Sequence, residues 1–93
     1  MAAKLPTTIK KESLGSLRLI IANFDGTVSS NNIDDNDTWA TGITNIVGWP
    51  IVQSTIDGPQ DCTVDAVDYA TGTITFASAA DQTAYVYILC KGM

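Results

Sequence analysis

Histidine is absent from this 93-residue chain. Its absence removes the usual general base of serine and cysteine hydrolases and the commonest zinc ligand. Glutamate occurs once, at Glu12, so a catalytic pair of carboxylates would have to be two aspartates. Neither a G-x-x-x-x-G-K nor a G-x-G-x-x-G stretch is present to cradle phosphate. These absences lead to the expectation of a non-enzymatic protein with no cofactor. Cysteine is scarce too. Cys62 and Cys90 sit among apolar residues in strand-like runs, in a sequence that shows no secretion signal. They read as reduced, buried thiols that act as small hydrophobes, and without histidine they make a weak metal signature.

Long apolar runs are also missing. The longest, "LIIANF", is too short to cross a bilayer, and "MAAKLPTTIKKES" lacks the apolar centre of a signal peptide. The expectation is a small protein made in the cytoplasm, with no membrane partner. Charge is sparse and uneven. Up to Arg18 the chain carries Lys4, Lys10, Lys11 and Arg18 against Glu12, a net +3; beyond it, nine aspartates face Lys91, a net −8. An acidic body of this kind argues against a nucleic-acid partner, which calls for a basic face. The basic leader is suited to an acidic surface, including that of a neighbouring copy.

What is present is mostly strand. In "SLGSLRLIIANF", Leu17, Leu19 and Ile21 fall on one face and Arg18, Ile20 and Ala22 on the other. "TWAT" reads as a short strand, Gly42 as a break, and "ITNIVGWPIVQ" as a bent strand placed at an edge or kink by Pro50, which cannot donate to a ladder. "DCTVDAVDY" alternates Cys62, Val64 and Ala66 against Thr63, Asp65 and Val67. "YATGTITFAS" carries a hairpin cue at Gly72, with Ile74 and Phe76 aimed at the core. "AYVYILCK" alternates Val86, Ile88 and Cys90 against Tyr85, Tyr87 and Leu89. Turns are marked by Asp25-Gly26 and by Gly58-Pro59, and "SAADQTA" reads as a loop or a short turn of helix. No segment sustains a helical period. The expected fold is all-β: a small antiparallel β-sandwich or barrel of about six to seven strands, residues 14–93, preceded by an extended N-terminal arm, residues 1–13. The "TTI" of that arm is able to pair at a sheet edge.

Two constellations have a chemical reading beside a structural one. "NNIDDND" offers Asp34, Asp35 and Asp37, with Asn32 and Asn36, as hard oxygen ligands of the kind calcium takes. The EF-hand spacing is missing, so the loop reads as solvated and turn-capping, and no metal is assigned. Trp39 and Trp49 offer either a sugar platform or core packing, and Trp49, beside Pro50, is the better surface candidate.

With "LRLIIANF", "DTWATGITNIVGW", "ATGTITFAS" and "AYVYILCKG" in sequence behind a basic, Thr-containing arm, the chain resembles the small β-sandwich structural proteins of tailed-phage virions. It is most similar in style to head decoration, or cement, proteins. The resemblance implies a virion protein on the head surface, a homo-oligomer with a trimer favoured, bound to the lattice of the major capsid protein. On that basis Lys4, Ile9, Lys10 and Lys11 are the first candidates for capsid contact, with Trp49, Tyr85 and Tyr87 as further contact residues. The alternatives are a tail, neck or fibre component, or an immunoglobulin-like adhesion or carbohydrate-binding module that would use Trp39, Trp49 and the aspartate loop.

Overall fold

The computed structural model describes residues 3–25, 31–54, 62–78 and 83–91. The turn at Gly26, the turn at Gly58-Pro59 and most of the "SAADQTA" loop lie outside them. Seven strands form two antiparallel sheets, and the described residues contain no helix, so none that is long and apolar enough to cross a membrane. The strands are β1 (Thr8–Leu14), β2 (Leu17–Phe24), β3 (Thr38–Ala40), β4 (Ile51–Ser54), β5 (Cys62–Asp68), β6 (Thr73–Ser78) and β7 (Ala84–Lys91). One sheet runs β1-β2-β7-β4 and the other β3-β6-β5. Consecutive strands therefore leave one sheet for the other after β2, β3, β4 and β6, and the two layers enclose one core as a β-sandwich.

Period-2 alternation decides which side of each strand faces that core. On β2, Ile20, Ala22 and Phe24 are buried; on β7, Ala84, Val86, Ile88 and Cys90 are buried; on β6, Ile74 and Phe76 are fully buried. Phe24 of the first sheet meets Trp39 and Phe76 of the second edge-on, with ring centroids 5.3 and 5.7 Å apart. Each such ring pair adds about 0.5–1.5 kcal/mol beyond the area it buries. The aromatic contacts thus tie the layers together at one point.

The N-terminal stretch is part of this architecture. Residues 8–14 pair along their whole length with β2, so the boundary expected at residue 13 falls inside β1. The two strands are joined by Gly15-Ser16, with Gly15 alone of the pair at positive φ (67°), as a type II′ hairpin requires. Every residue of β1 is exposed, because the second sheet does not reach over this edge.

Two further differences from the sequence reading have local causes. The stretch 43–50 is not a strand: Gly42 and Gly48 take positive φ (74° and 79°), Pro50 follows, and only Ile46 makes an isolated bridge, to Cys90. On β5 a bulge between Val64 and Ala66 shifts the register. Val67 is thereby paired with Ile74 and joins Cys62 and Val64 on the inner side, while Ala66 turns out. Both cysteines are buried free thiols. Burial pushes the Cys62 thiol up, against a lowering hydrogen bond from Ser78, which keeps it in the unreactive protonated form.

The β5–β6 hairpin turns at Gly72, whose N–H donates to Asp68 O at 2.7 Å and whose φ is 76°. A Cβ there would collide with the Ile43 carbonyl and stand 2.6 Å from Thr41 Oγ1. Gly72→Ala is expected to destabilise the protein by roughly 3 kcal/mol or more, combining left-handed strain with a backbone clash. Gly15→Ala, also at positive φ but with open space around it, is expected to cost only about 1–2 kcal/mol. Urea unfolding of both variants checks the ranking.

Candidate interaction surface

The two outer faces of the sandwich differ in chemistry. Outside β3-β6-β5 lie Thr38, Ala40, Thr63, Ala66, Asp68, Thr73, Thr75 and Ala77, a small and polar set. Outside β1-β2-β7-β4 the register stacks rows of larger apolar residues. Leu17 stands between Leu14 and Lys91, Leu19 between Glu12 and Leu89, and Ile21 between Lys10 and Tyr87, with Ile51 beyond. Asn23 lies between Thr8 and Tyr85, with Gln53 next to Tyr85. A sheet that faces water on one side normally alternates apolar-in and polar-out. Strands β2 and β7 are instead apolar on both sides.

A hollow of about 550 Å³ opens on this face, lined by Thr8, Ile9, Lys10, Ile21, Asn23, Tyr85 and Tyr87. Four of the seven contact residues expected from sequence are gathered here: Ile9, Lys10, Tyr85 and Tyr87. Ile9 and Tyr85 are exposed, and the Tyr87 hydroxyl donates to Gln53 Oε1 at 3.4 Å. Asn23 Oδ1 is buried at the hollow without a hydrogen-bond donor. An acceptor left this way costs about 1–3 kcal/mol, which an incoming donor recovers. Asn23, Ile21, Leu19 and Leu89 were not singled out from sequence. Their signal was visible in the second apolar face of "LRLIIANF" and "YVYILCK".

Trp49 stands apart from the hollow. It is 55% exposed in the segment leading to β4, next to Gly48, whose carbonyl accepts the Tyr69 hydroxyl at 3.0 Å. Trp39 is buried against Phe24 and belongs to the core. Lys11 is exposed on β1, on the opposite side of the strand from Lys10.

Lys4 is not at the surface. Only 8% of it is exposed, and its ammonium is enclosed by the "NNIDDND" loop. Lys4 Nζ donates to Asn32 O at 2.7 Å and to Asn32 Oδ1, and pairs with Asp37 Oδ2 at 2.9 Å and Asp34 Oδ2 at 3.5 Å. Asp37 Oδ2 also accepts the Asp34 N–H at 2.8 Å, closing the turn, with Asn36 at φ 65°. The loop is fixed to β6 by Asn36 N–H to Phe76 O and Phe76 N–H to Asp37 O, both 2.9 Å. It also sends Ile33 into the core. Of the five residues that resembled a cation site in the sequence, Asn32, Asp34 and Asp37 therefore hold an ammonium of the same chain, while Asp35 accepts the Ser78 N–H at 3.2 Å. Among the described residues no cluster of three or more metal-ligating side chains occurs. Lys4 N–H donates to Thr38 O at 2.7 Å, and Asn31 Nδ2 donates to Leu5 O at 2.6 Å, so the backbone on both sides of the ammonium is tied down as well.

The chain matches no family model, and searches of curated proteins and of solved structures return no similar protein.

Asp37 is 2% exposed, so removing Lys4 would leave a buried carboxylate without its counter-charge. Lys4→Met is expected to cost about 3–5 kcal/mol, most of it recovered in the Lys4→Met/Asp37→Asn double variant. Lys10→Met, on the exposed strand, is expected to fall within about 0.5 kcal/mol of the parent. Denaturant melts of the four proteins provide the comparison.

Proposed function

We propose that this chain is a non-enzymatic virion structural protein, a head decoration protein that docks on the assembled capsid lattice through the outer face of the β1-β2-β7-β4 sheet. The observation that carries this reading is the asymmetry of the two outer faces. A contiguous apolar patch on a small acidic protein marks a protein-binding surface. The hollow with its tyrosines, Lys10 and the unpaired Asn23 acceptor supplies what such an interface uses: amphipathic rings, a cation at the rim and a polar group to fix register. On the β1 side the patch is bordered by Lys10 and Glu12, a pair of opposite charges that can fix the orientation of a partner. The sequence style shared with phage cement proteins supports the choice of partner.

The mechanism is linkage. A protein that binds the assembled lattice and not its separated subunits stabilises the lattice by mass action, and many identical sites make modest contacts effective. The adhesion-module alternative is less well supported, since Trp39 is in the core and the aspartate loop is occupied by Lys4.

Quantitative mass spectrometry of purified virus particles from the source tests the proposal. The expected copy number is of the same order as the major capsid protein. A few copies per particle would move the protein to the tail or neck, and none would refute the virion reading. Ile21→Lys and Leu89→Lys, on the outward side, are expected to keep the fold while lowering occupancy at least tenfold. That is the scale of loss when a charge replaces a central interface contact.

A further inference from the structure

A second cavity, distinct from the hollow on the outer face, opens at one edge of the sandwich. It measures about 400 Å³ and is lined chiefly by Ile9, Lys11, Arg18, Ile20, Trp39, the segment 41–45, Cys90 and Lys91. Two of the chain's five cationic side chains, Lys11 and Arg18, stand on the cavity side of β1 and β2, whereas Lys91 meets the segment 41–45 through its backbone, hydrogen-bonded to Asn45, and its side chain belongs to the outer face with Tyr87 and Leu89. Among the described residues no acidic one lines the cavity. The only ion pairs between described residues are those of Lys4, so Lys11, Arg18 and Lys91 make none among the described residues. In a protein of net charge −5 this is a positive site with no acidic partner among the described residues. The remaining lining is apolar. Ile20, Trp39 and Cys90 are buried, and Ile43 packs against the core beside them. The volume falls within the usual range for small-ligand sites, about 300–1,000 Å³.

We infer that this cavity binds an organic carboxylate: an anionic head at Arg18 and Lys11, joined to a short apolar body that lies against Ile20, Ile43 and Trp39. A planar guanidinium with a lysine beside it matches a carboxylate. The apolar lining would be left idle by a bare inorganic anion. The carboxylate has two sources with one chemistry, a free small acid or the carboxyl terminus of a bound polypeptide.

Amide chemical-shift titration at constant ionic strength tests this, with hexanoate, hexanamide, inorganic phosphate and an N-acetylated dipeptide ending in a free leucine carboxylate as probes. The expected result is saturable shifts at Ile20, Thr41–Asn45 and Cys90 with hexanoate, and none with hexanamide. Arg18→Gln is expected to weaken hexanoate binding roughly tenfold or more, the scale of a charge-assisted bidentate contact, and Lys11→Gln to weaken it a few-fold. Arg18→Lys, which keeps the charge and loses the fork, is expected to fall between the parent and Arg18→Gln. A dipeptide that binds more tightly than hexanoate identifies the polypeptide source, and the reverse order identifies a free acid. Absence of saturable shifts, equal binding of hexanamide, or hexanoate binding unchanged in both Arg18→Gln and Lys11→Gln would overturn the inference. Phosphate binding as tightly as hexanoate would overturn the role of the apolar lining.

Discussion

A buried ammonium has to be paired, and in this protein that requirement organises the N-terminal third of the fold. Lys4 lies 28 residues from its nearest partner, Asn32, and its enclosure forces the start of the chain against the loop before β3. From there the chain runs to Thr7, whose N–H donates to Asn23 O at 2.7 Å, and enters the other sheet as β1. The segment therefore bridges the two layers: a parallel bridge from Ala3 to Thr38 on one side, and the full β1–β2 pairing on the other. β1 is exposed on both faces and has no core contact of its own to hold it in register. Its position comes from the hairpin at Gly15-Ser16 at one end and the Lys4 anchor at the other. Basic charge at an open strand edge also discourages indiscriminate edge-to-edge pairing, which Lys10 and Lys11 provide.

The anchor has a consequence for the surface. By placing β1 beside β2, it completes a four-stranded sheet whose outer side is broad enough to carry a hollow, and it brings Thr8, Ile9 and Lys10 to one wall of that hollow. The opposite wall is β7, at the centre of the sheet, where Val86 and Ile88 face the core and Tyr85 and Tyr87 face outward. A surface built on central strands is held more firmly than one built on loops, which suits a repeated contact on a lattice. The Thr-rich face of the other sheet has the composition expected for lasting contact with water.

Much of this arrangement is legible in the residues. The faces of β2, β6 and β7 follow from alternation, because burial on one side selects apolar residues at every second position. The Gly72 hairpin is legible because a left-handed turn position next to "TITF" has few other uses. Trp49 reads as exposed from its proline neighbour. β1 is hidden for the opposite reason: with neither face buried, "TIKKESL" is under no pressure to alternate and looks like an arm. The Gly15-Ser16 turn is masked by the leucines on both sides, which let "SLGSLRLIIANF" pass for one strand. A single inserted residue at the β5 bulge reverses Ala66 and Val67, and nothing in "VDAVD" distinguishes the two registers. The role of Lys4 is a long-range fact: the charge is plain in the sequence, and its pairing with Asp34 and Asp37 requires the fold.

The central claim is that the apolar side of the β1-β2-β7-β4 sheet is the docking surface and the threonine side is not. Hydroxyl-radical footprinting of the full chain, free and on purified particles, reads both sides at once. The account predicts strong protection of Leu19, Ile21, Tyr85, Tyr87 and Leu89 on the particle, with Thr73, Thr75 and Ala77 unchanged. Protection confined to the threonine face, or equal labelling of the apolar face in both states, would contradict it.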